Sequence, residues 1–234
     1  MIEFDLHRQT VRELNEALHA WPAQTTGGAA DGRRVRVLNP EGRHALAAGL
    51  NAPIEVEIAG SVGYYCAGMN QNASVTVSGS AGVGVAENMM SGRVRIVGDV
   101  SQSAGATAHG GLLVVEGNAS ARCGISMKGV DIVVQGSVGP MSAFMGQAGN
   151  LVVLGDAGDG LGDSLFEAQL FVRGSVGGLG ADCEEKPMTA ESMTTLGRLL
   201  RAADMEARAA PDEFRRYGSA RRLYHFHVDQ AGTY

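Results

Sequence analysis

Along most of the chain, short bursts of alternating apolar and polar residues each end on a glycine. The residues four and two places before that glycine are aliphatic in every burst: Val56/Ile58, Val75/Val77, Val94/Ile96, Leu113/Val115, Ile132/Val134, Leu151/Val153 and Leu170/Val172. A spacing of two puts both side chains on one face of a strand. The glycines Gly60, Gly79, Gly98, Gly117, Gly136, Gly155 and Gly174 stand 19 residues apart with no insertion. Self-similarity at one fixed period is an internal repeat.

A strand of four or five residues cannot bury a face alone, and a 19-residue unit has no room for a covering helix. Equivalent strands must therefore stack on one another. One unit per turn predicts parallel strands about 4.8 Å apart and a spine of roughly 29 Å over six intervals. The predicted fold is an all-β core, a right-handed parallel β-helix of about seven 19-residue coils, with small N- and C-terminal helical appendages. A β-propeller would need about 40–45 residues per blade. The repeat glycines are expected to supply a positive φ at each corner. Three places on, Gly63, Gly82, Ser101, Ser120, Gly139, Gly158 and Gly177 are small enough to let neighbouring coils approach.

Three segments follow: an N-terminal helix and linker (1–34), the glycine-repeat β-helix (35–183), and a C-terminal helix with a basic aromatic tail (184–234). Phe4-Asp5-Leu6 reads as a short extended piece, and Thr10 precedes Val11, Leu14, Ala17 and Leu18 on one helical face. Trp21-Pro22 stops that helix, and a glycine-containing linker runs from Ala23 to Arg34. Val35 to Leu50 is a degenerate first coil, with Val35 and Val37 alternating but Glu41 where a glycine is due. After Pro187, a helix from about Thr189 to Arg208 groups Met193, Leu196, Leu200 and Ala203 on one side. The tail Phe214 to Tyr224 interleaves arginines with aromatics, which suits an acidic neighbour or a solvated tail.

The outward strand position runs Glu57, Thr76, Arg95, Val114, Val133, Val152, Phe171. Its last four members form a dry column that the C-terminal helix or a partner subunit is expected to cover. Methionines gather in the second half of the units, at Met69, Met89, Met90, Met127, Met141 and Met145. Such a column is an irregular core layer or a surface that packs against another protein.

Composition changes this picture little. Gly is 34 of 234 residues and aromatics are 5%, which suits a narrow aliphatic core with many corners. A net charge of −6 argues against nucleic acid. No signal run or 18-residue apolar span points to a membrane, and three cysteines without a C-x-x-C pair suit a reduced, cytoplasmic protein. Cys66 and Cys123 share a column three coils apart, about 14 Å, beyond disulfide reach, and read as small core residues. His44 reads as a corner or surface histidine, and His225 with His227 lack a third metal ligand. Gly174 to Gly180 is not a dinucleotide loop, because the same turn recurs on every coil and leads to a strand. No catalytic, cofactor-binding or metal residue is assigned.

Gly-Ser-Val-Gly at Gly60–Gly63, Gly-Ser-Ala-Gly-Val-Gly at Gly79–Gly84, Gly-Asp-Ala-Gly at Gly155–Gly158 and Ala86-Glu87-Asn88-Met89-Met90-Ser91-Gly92 resemble the GXGXG β-helix that closes the large subunit of glutamate synthase. With the Thr10–Leu18 opening and the Phe214–His227 tail, the chain most resembles the free-standing form of this domain in N-methylglutamate synthase. The resemblance implies a non-catalytic scaffold in a hetero-oligomer. Its partners would be an amidotransferase-like subunit and a glutamate synthase-like subunit holding FMN and an iron–sulfur cluster, with no cofactor in this chain. The β-helical chain of formylmethanofuran dehydrogenase shares the repeat, so the equivalent chain of that complex or of a formyltransferase/hydrolase is the alternative.

Overall fold

The computed structural model describes residues 1–20 and 34–222. The Trp21-Pro22 stop, the linker through 33, and His225 with His227 lie outside the described residues. One sheet carries β1 (Ile2–Asp5), β2 (Arg34–Leu38), β3 (Glu55–Ala59), β4 (Ser74–Val77), β5 (Arg93–Ile96), β6 (Leu112–Val115), β7 (Lys128–Val134), β8 (Ala148–Val153), β9 (Gln169–Val172), β10 (Cys183–Lys186) and β11 (Arg215–Ser219). From β1 to β9 every neighbour is parallel, and from β3 to β9 partners are 19 residues apart, as in Val75 with Val94 and Val94 with Leu113, except at a register shift where Lys128 pairs with Ala148. The chain is therefore a parallel β-helix of about seven coils. The degenerate first coil is real, since Val35 pairs with Val56, 21 positions on.

The inward side chains of the strands form one continuous aliphatic core. A second column of parallel bridges, Val62, Ala81, Val100, Ala119, Val138, Ala157 and Val176, lies two residues after each repeat glycine. The corner between the two columns corrects the sequence reading. Of the seven repeat glycines only Gly60 has a left-handed φ, +143°. The others are needed for close approach: a Cβ on Gly117 would stand 2.6 Å from the carbonyl oxygen of Gly98, and one on Gly174 2.4 Å from that of Gly155. No real Cβ fits there, so glycine is required by the coil below.

Left-handed residues do occur, on a different wall. At 65, 67 and 69, and at each 19-residue equivalent to 160, 162 and 164, every second residue has positive φ, from Tyr65 (+59°) to Ser164 (+59°). Most of these are not glycine, and an L-residue in this region costs roughly 1–2 kcal/mol. Inter-coil hydrogen bonds offset it. Tyr65 N–H donates up to Val83 C=O at 2.8 Å, Ala67 N–H down to Leu46 C=O at 2.9 Å, and Met69 N–H up to Glu87 C=O at 2.8 Å, and later coils repeat this alternation.

The outward faces differ along the stack. In the later coils Val114, Val133, Val152 and Phe171 are completely buried beneath α2 (Ala190–Ala202), in a second core with Leu196, Leu199, Leu200 and Ala203. The helix cover predicted from the dry column is thus intramolecular. It starts as expected, with Thr189 as N-cap accepting Ser192 N–H, but it ends before Arg208 because Asp204 turns left-handed at φ +63°. Met193 is half-buried and Leu199 takes the inner place. The boundary with the wet coils is an ionic clasp: Arg95 donates to Ala203 C=O at 2.8 Å and to Asp204 at 2.5 Å, while Arg93 reaches Asp204 at 2.8 Å. Arg95 also pairs with Glu116.

Both ends of the core are closed by the chain itself. At the start, α1 (Val11–His19) buries Leu14 and Leu18, with a Thr10–Glu13 capping box. Its Asn15 donates to Ala45 C=O at 2.8 Å and accepts Ala47 N–H at 3.0 Å, as a preceding coil would. At the far end β11 inserts antiparallel between β9 and β10, with Tyr217 buried. The stretch read as a basic tail is therefore in part a strand of the sheet. Its period-2 face, Tyr217 with Arg215 and Ser219, finds its partners only once the last coil exists.

Val133→Asp should lower stability by about 3–5 kcal/mol, because it buries an unpaired carboxylate under α2. Thr76→Asp at the same phase, beside Arg95, should change little. Thermal melts of the two variants check this, and equal small shifts would contradict the described cover.

Candidate functional site

The repeat places its polar side chains where they bind the next coil. The residue after each repeat glycine is a short acceptor, and its side-chain oxygen takes the backbone N–H one coil up. The series runs Ser61 to Ser80 (3.1 Å), Ser80 to Asp99 (3.2 Å), Asp99 to Asn118 (2.7 Å), Asn118 to Ser137 (2.9 Å), Ser137 to Asp156 (3.0 Å) and Asp156 to Ser175 (2.7 Å). Sequence reading missed this ladder, although its signal is plain: Ser, Asp or Asn after every glycine. Bonds from the Ser175 N–H and hydroxyl hold the Asp156 carboxyl below the usual carboxylate range.

This ladder also decides the Gly174 to Gly180 stretch. Four of its N–H groups are engaged with the coil below, Gly174 with Gly155, Ser175 with the Asp156 side chain, Gly177 with Ala157 and Gly180 with Leu161, and no helix opens at its last glycine, as a dinucleotide loop requires. The strand that follows is β10.

The candidate nucleophiles and ligands are accounted for similarly. Cys66 and Cys123 are fully buried in the core, where burial pushes each thiol up to about 12. Cys183 is half-buried, and burial, then the Asp182 and Glu184 carboxylates, push it up to about 12 as well. A thiol at that value is not ionised near neutrality and is a poor nucleophile. His44 is exposed, stacks on Tyr64 with ring centroids 4.1 Å apart, and accepts the Tyr64 N–H at 3.2 Å. It trims the first corner. Among the described residues, no group of three or more His, Cys, Asp or Glu is arranged to hold a metal. No helix among them is long and apolar enough to cross a membrane.

A cleft of about 430 Å³ opens where the start of α2 meets β11 and the last coil, between Phe166, Lys186, Glu191, Arg216 and Arg221. Its cations have partners. Arg216 donates to Pro187 C=O at 3.0 Å and Gln169 at 3.2 Å, Lys186 to Glu184 at 2.5 Å, and Arg221 pairs with Glu167 at 3.4 Å. The cleft is a seam of the C-terminal closure.

The methionine column divides in two. Met89 and Met127 are core, whereas Met69, Met90 and Met145 are exposed and Met141 is half-buried. The exposed ones lie on the left-handed wall.

Stacked glycine corners, a parallel sheet and chain ends folded back as caps define a capped parallel β-helix, the fold implied by the repeat. No protein-family model matches the chain. Protein GlxC of Rhizobium meliloti (strain 1021) is 60% identical over 230 residues, covering 98% of each chain. The chain belongs to the GlxC family.

Two outcomes test this account of the polar groups. A thiol reagent at pH 8 should leave Cys66 and Cys123 unmodified in the folded chain and label them after denaturation, and fast native labelling would contradict the burial. The Asp156 bonds stabilise fully above the ordinary carboxylate value of about 4 and are lost as pH falls through the lowered folded one. Asp156→Asn keeps the acceptor oxygen, so its melting temperature should fall less steeply than the parent's below pH 4.

Proposed function

We propose that this chain is the non-catalytic scaffold subunit of an FMN-dependent, glutamate synthase-like complex, specifically an N-methylglutamate synthase, which makes N-methylglutamate from glutamate and methylamine. It joins an amidotransferase-like subunit to the synthase subunit that carries FMN and an iron–sulfur cluster. The observation that carries this reading is the use of the repeating polar groups: from Ser61 to Ser175 they hold one coil to the next, and the core thiols are buried. Side chains so committed serve shape. The full-length likeness to GlxC and the glycine repeat support the same class.

The chain's part in the reaction is therefore geometric. A stack of short coils with its ends closed is stiff along its axis, since each coil is bonded to both neighbours. It fixes the distance between subunits docked on it.

Affinity purification of the native complex through a tag on this chain tests the reading. A glutaminase-like chain and a flavoprotein should co-purify, and the complex should form N-methylglutamate from glutamate and methylamine. The chain by itself should be colourless and without turnover. Recovery of a molybdenum- or tungsten-type chain or an amidohydrolase-like chain would instead assign it to a formylmethanofuran dehydrogenase or formyltransferase/hydrolase system.

A further inference from the structure

The left-handed wall carries side chains that the fold itself does not ask for. At positive φ, Gly, Asn and Asp are the least strained residues, and some coils use them there: Gly84, Asn88 and Gly160. Others place large side chains at the equivalent positions: Tyr65 (φ +59°), Met69 (+56°), Met141 (+59°) and Met145 (+54°). Core packing does not explain the choice, since Met69 is 48% and Met145 43% exposed. Backbone strain and exposure together point outward.

The same wall is depleted of charge. Residues 64–71, 83–90, 102–109, 121–128, 140–147 and 159–166 hold five charged side chains in forty-eight, Glu87, Arg122, Lys128, Asp159 and Asp163, against 19% for the chain. Interface cores show this depletion together with aromatic and methionine enrichment, and methionine lets such a surface adapt to its partner. The other faces are accounted for: the late sheet face lies under α2, the early one is charged, and the corner ladder is polar. Arg122 and Lys128 share one coil in mid-wall, both exposed, with no carboxylate partner among the described residues.

We infer that this wall is the docking face for a partner subunit whose surface has an apolar aliphatic and aromatic centre and carboxylates set against Arg122 and Lys128. The inference rests on the scaffold reading and adds where the partner sits. A second copy of the chain fits less well. A two-fold along the coil axis would set Arg122 of one copy against Lys128 of the other, while the carboxylates of the wall, Glu87, Asp159 and Asp163, lie two coils away on either side.

The test uses the full chain co-expressed with the subunits recovered in the native complex. Met145→Asp is the main probe, because Asp suits the left-handed backbone while placing charge in the apolar centre. Arg122→Glu with Lys128→Glu probes the charge, Met145→Asn serves if the Asp variant folds poorly, and Glu57→Lys on the outer sheet face is the control. Recovery of a partner should fall at least ten-fold for the first two and stay at parental level for the control, with the melting temperatures of the isolated variants unchanged. Parental recovery in the Met145 and double-reversal variants would overturn the inference, as would an isolated-chain dimer that these variants dissolve without loss of partner. The two readings fail separately. A flavoprotein and an amidotransferase retained by the wall variants remove the docking face and keep the function. An unrelated enzyme system lost from the same variants keeps the docking face and removes the function.

Discussion

Backbone-to-backbone contact between successive coils is the constraint on which this molecule depends. At the repeat corner a coil lies so close to the one below that a single added carbon on Gly117 or Gly174 would meet a carbonyl oxygen at 2.6 or 2.4 Å. Equivalent atoms must then lie above one another all the way up, and a 19-residue period without insertion follows. Given that superposition, a short acceptor after each glycine automatically faces the next coil's N–H, and the aliphatic pairs automatically fuse into one core. A left-handed residue that would be strained alone is tolerated where its N–H reaches a neighbouring coil in the same geometry every time.

A stack of this kind is endangered at its ends, where unpaired edges invite further strands. Each end is closed differently. At β1, Gln9 caps the Asp5 N–H at 3.1 Å while the Asp5 carbonyl accepts N–H groups from Arg8 and Gln9, and Asn15 of α1 stands in for a missing coil. At the other end β11 reverses direction, so the parallel register cannot propagate, and charged Glu184, Glu185 and Lys186 occupy the last strand, β10. These closures keep the solenoid finite and leave its long sides as the surfaces available for recognition.

Those sides are chemically unlike one another although one repeat generates them all. The sheet face changes from charged to dry at the Arg95–Asp204 clasp, where α2 ends. The corner ladder is polar and internally bonded. The left-handed wall is low in charge and presents methionine and tyrosine. A uniform backbone with differentiated faces is what a scaffold requires, since stiffness comes from the repeat and selectivity from its outward positions.

The period, the parallel strands, the aliphatic core and the covered outward column were legible from the residues, because alternation of two and recurrence of nineteen are local patterns that only one stacking satisfies. The start of α2 was equally legible from Thr189, and its exit was not, because Asp204 is fixed by Arg93 and Arg95 more than a hundred residues away. The sequence could not tell a glycine chosen for positive φ from one chosen for contact, since both read as a corner; only the coil below distinguishes Gly60 from Gly117. Nor could it divide Met89 and Met127 inside from Met69 and Met145 outside, because the alternation of that wall comes from left-handed residues rather than from a strand. The place of Arg215–Ser219 was settled last, by tertiary structure alone: a five-residue strand has no inner face until β9 and β10 supply one.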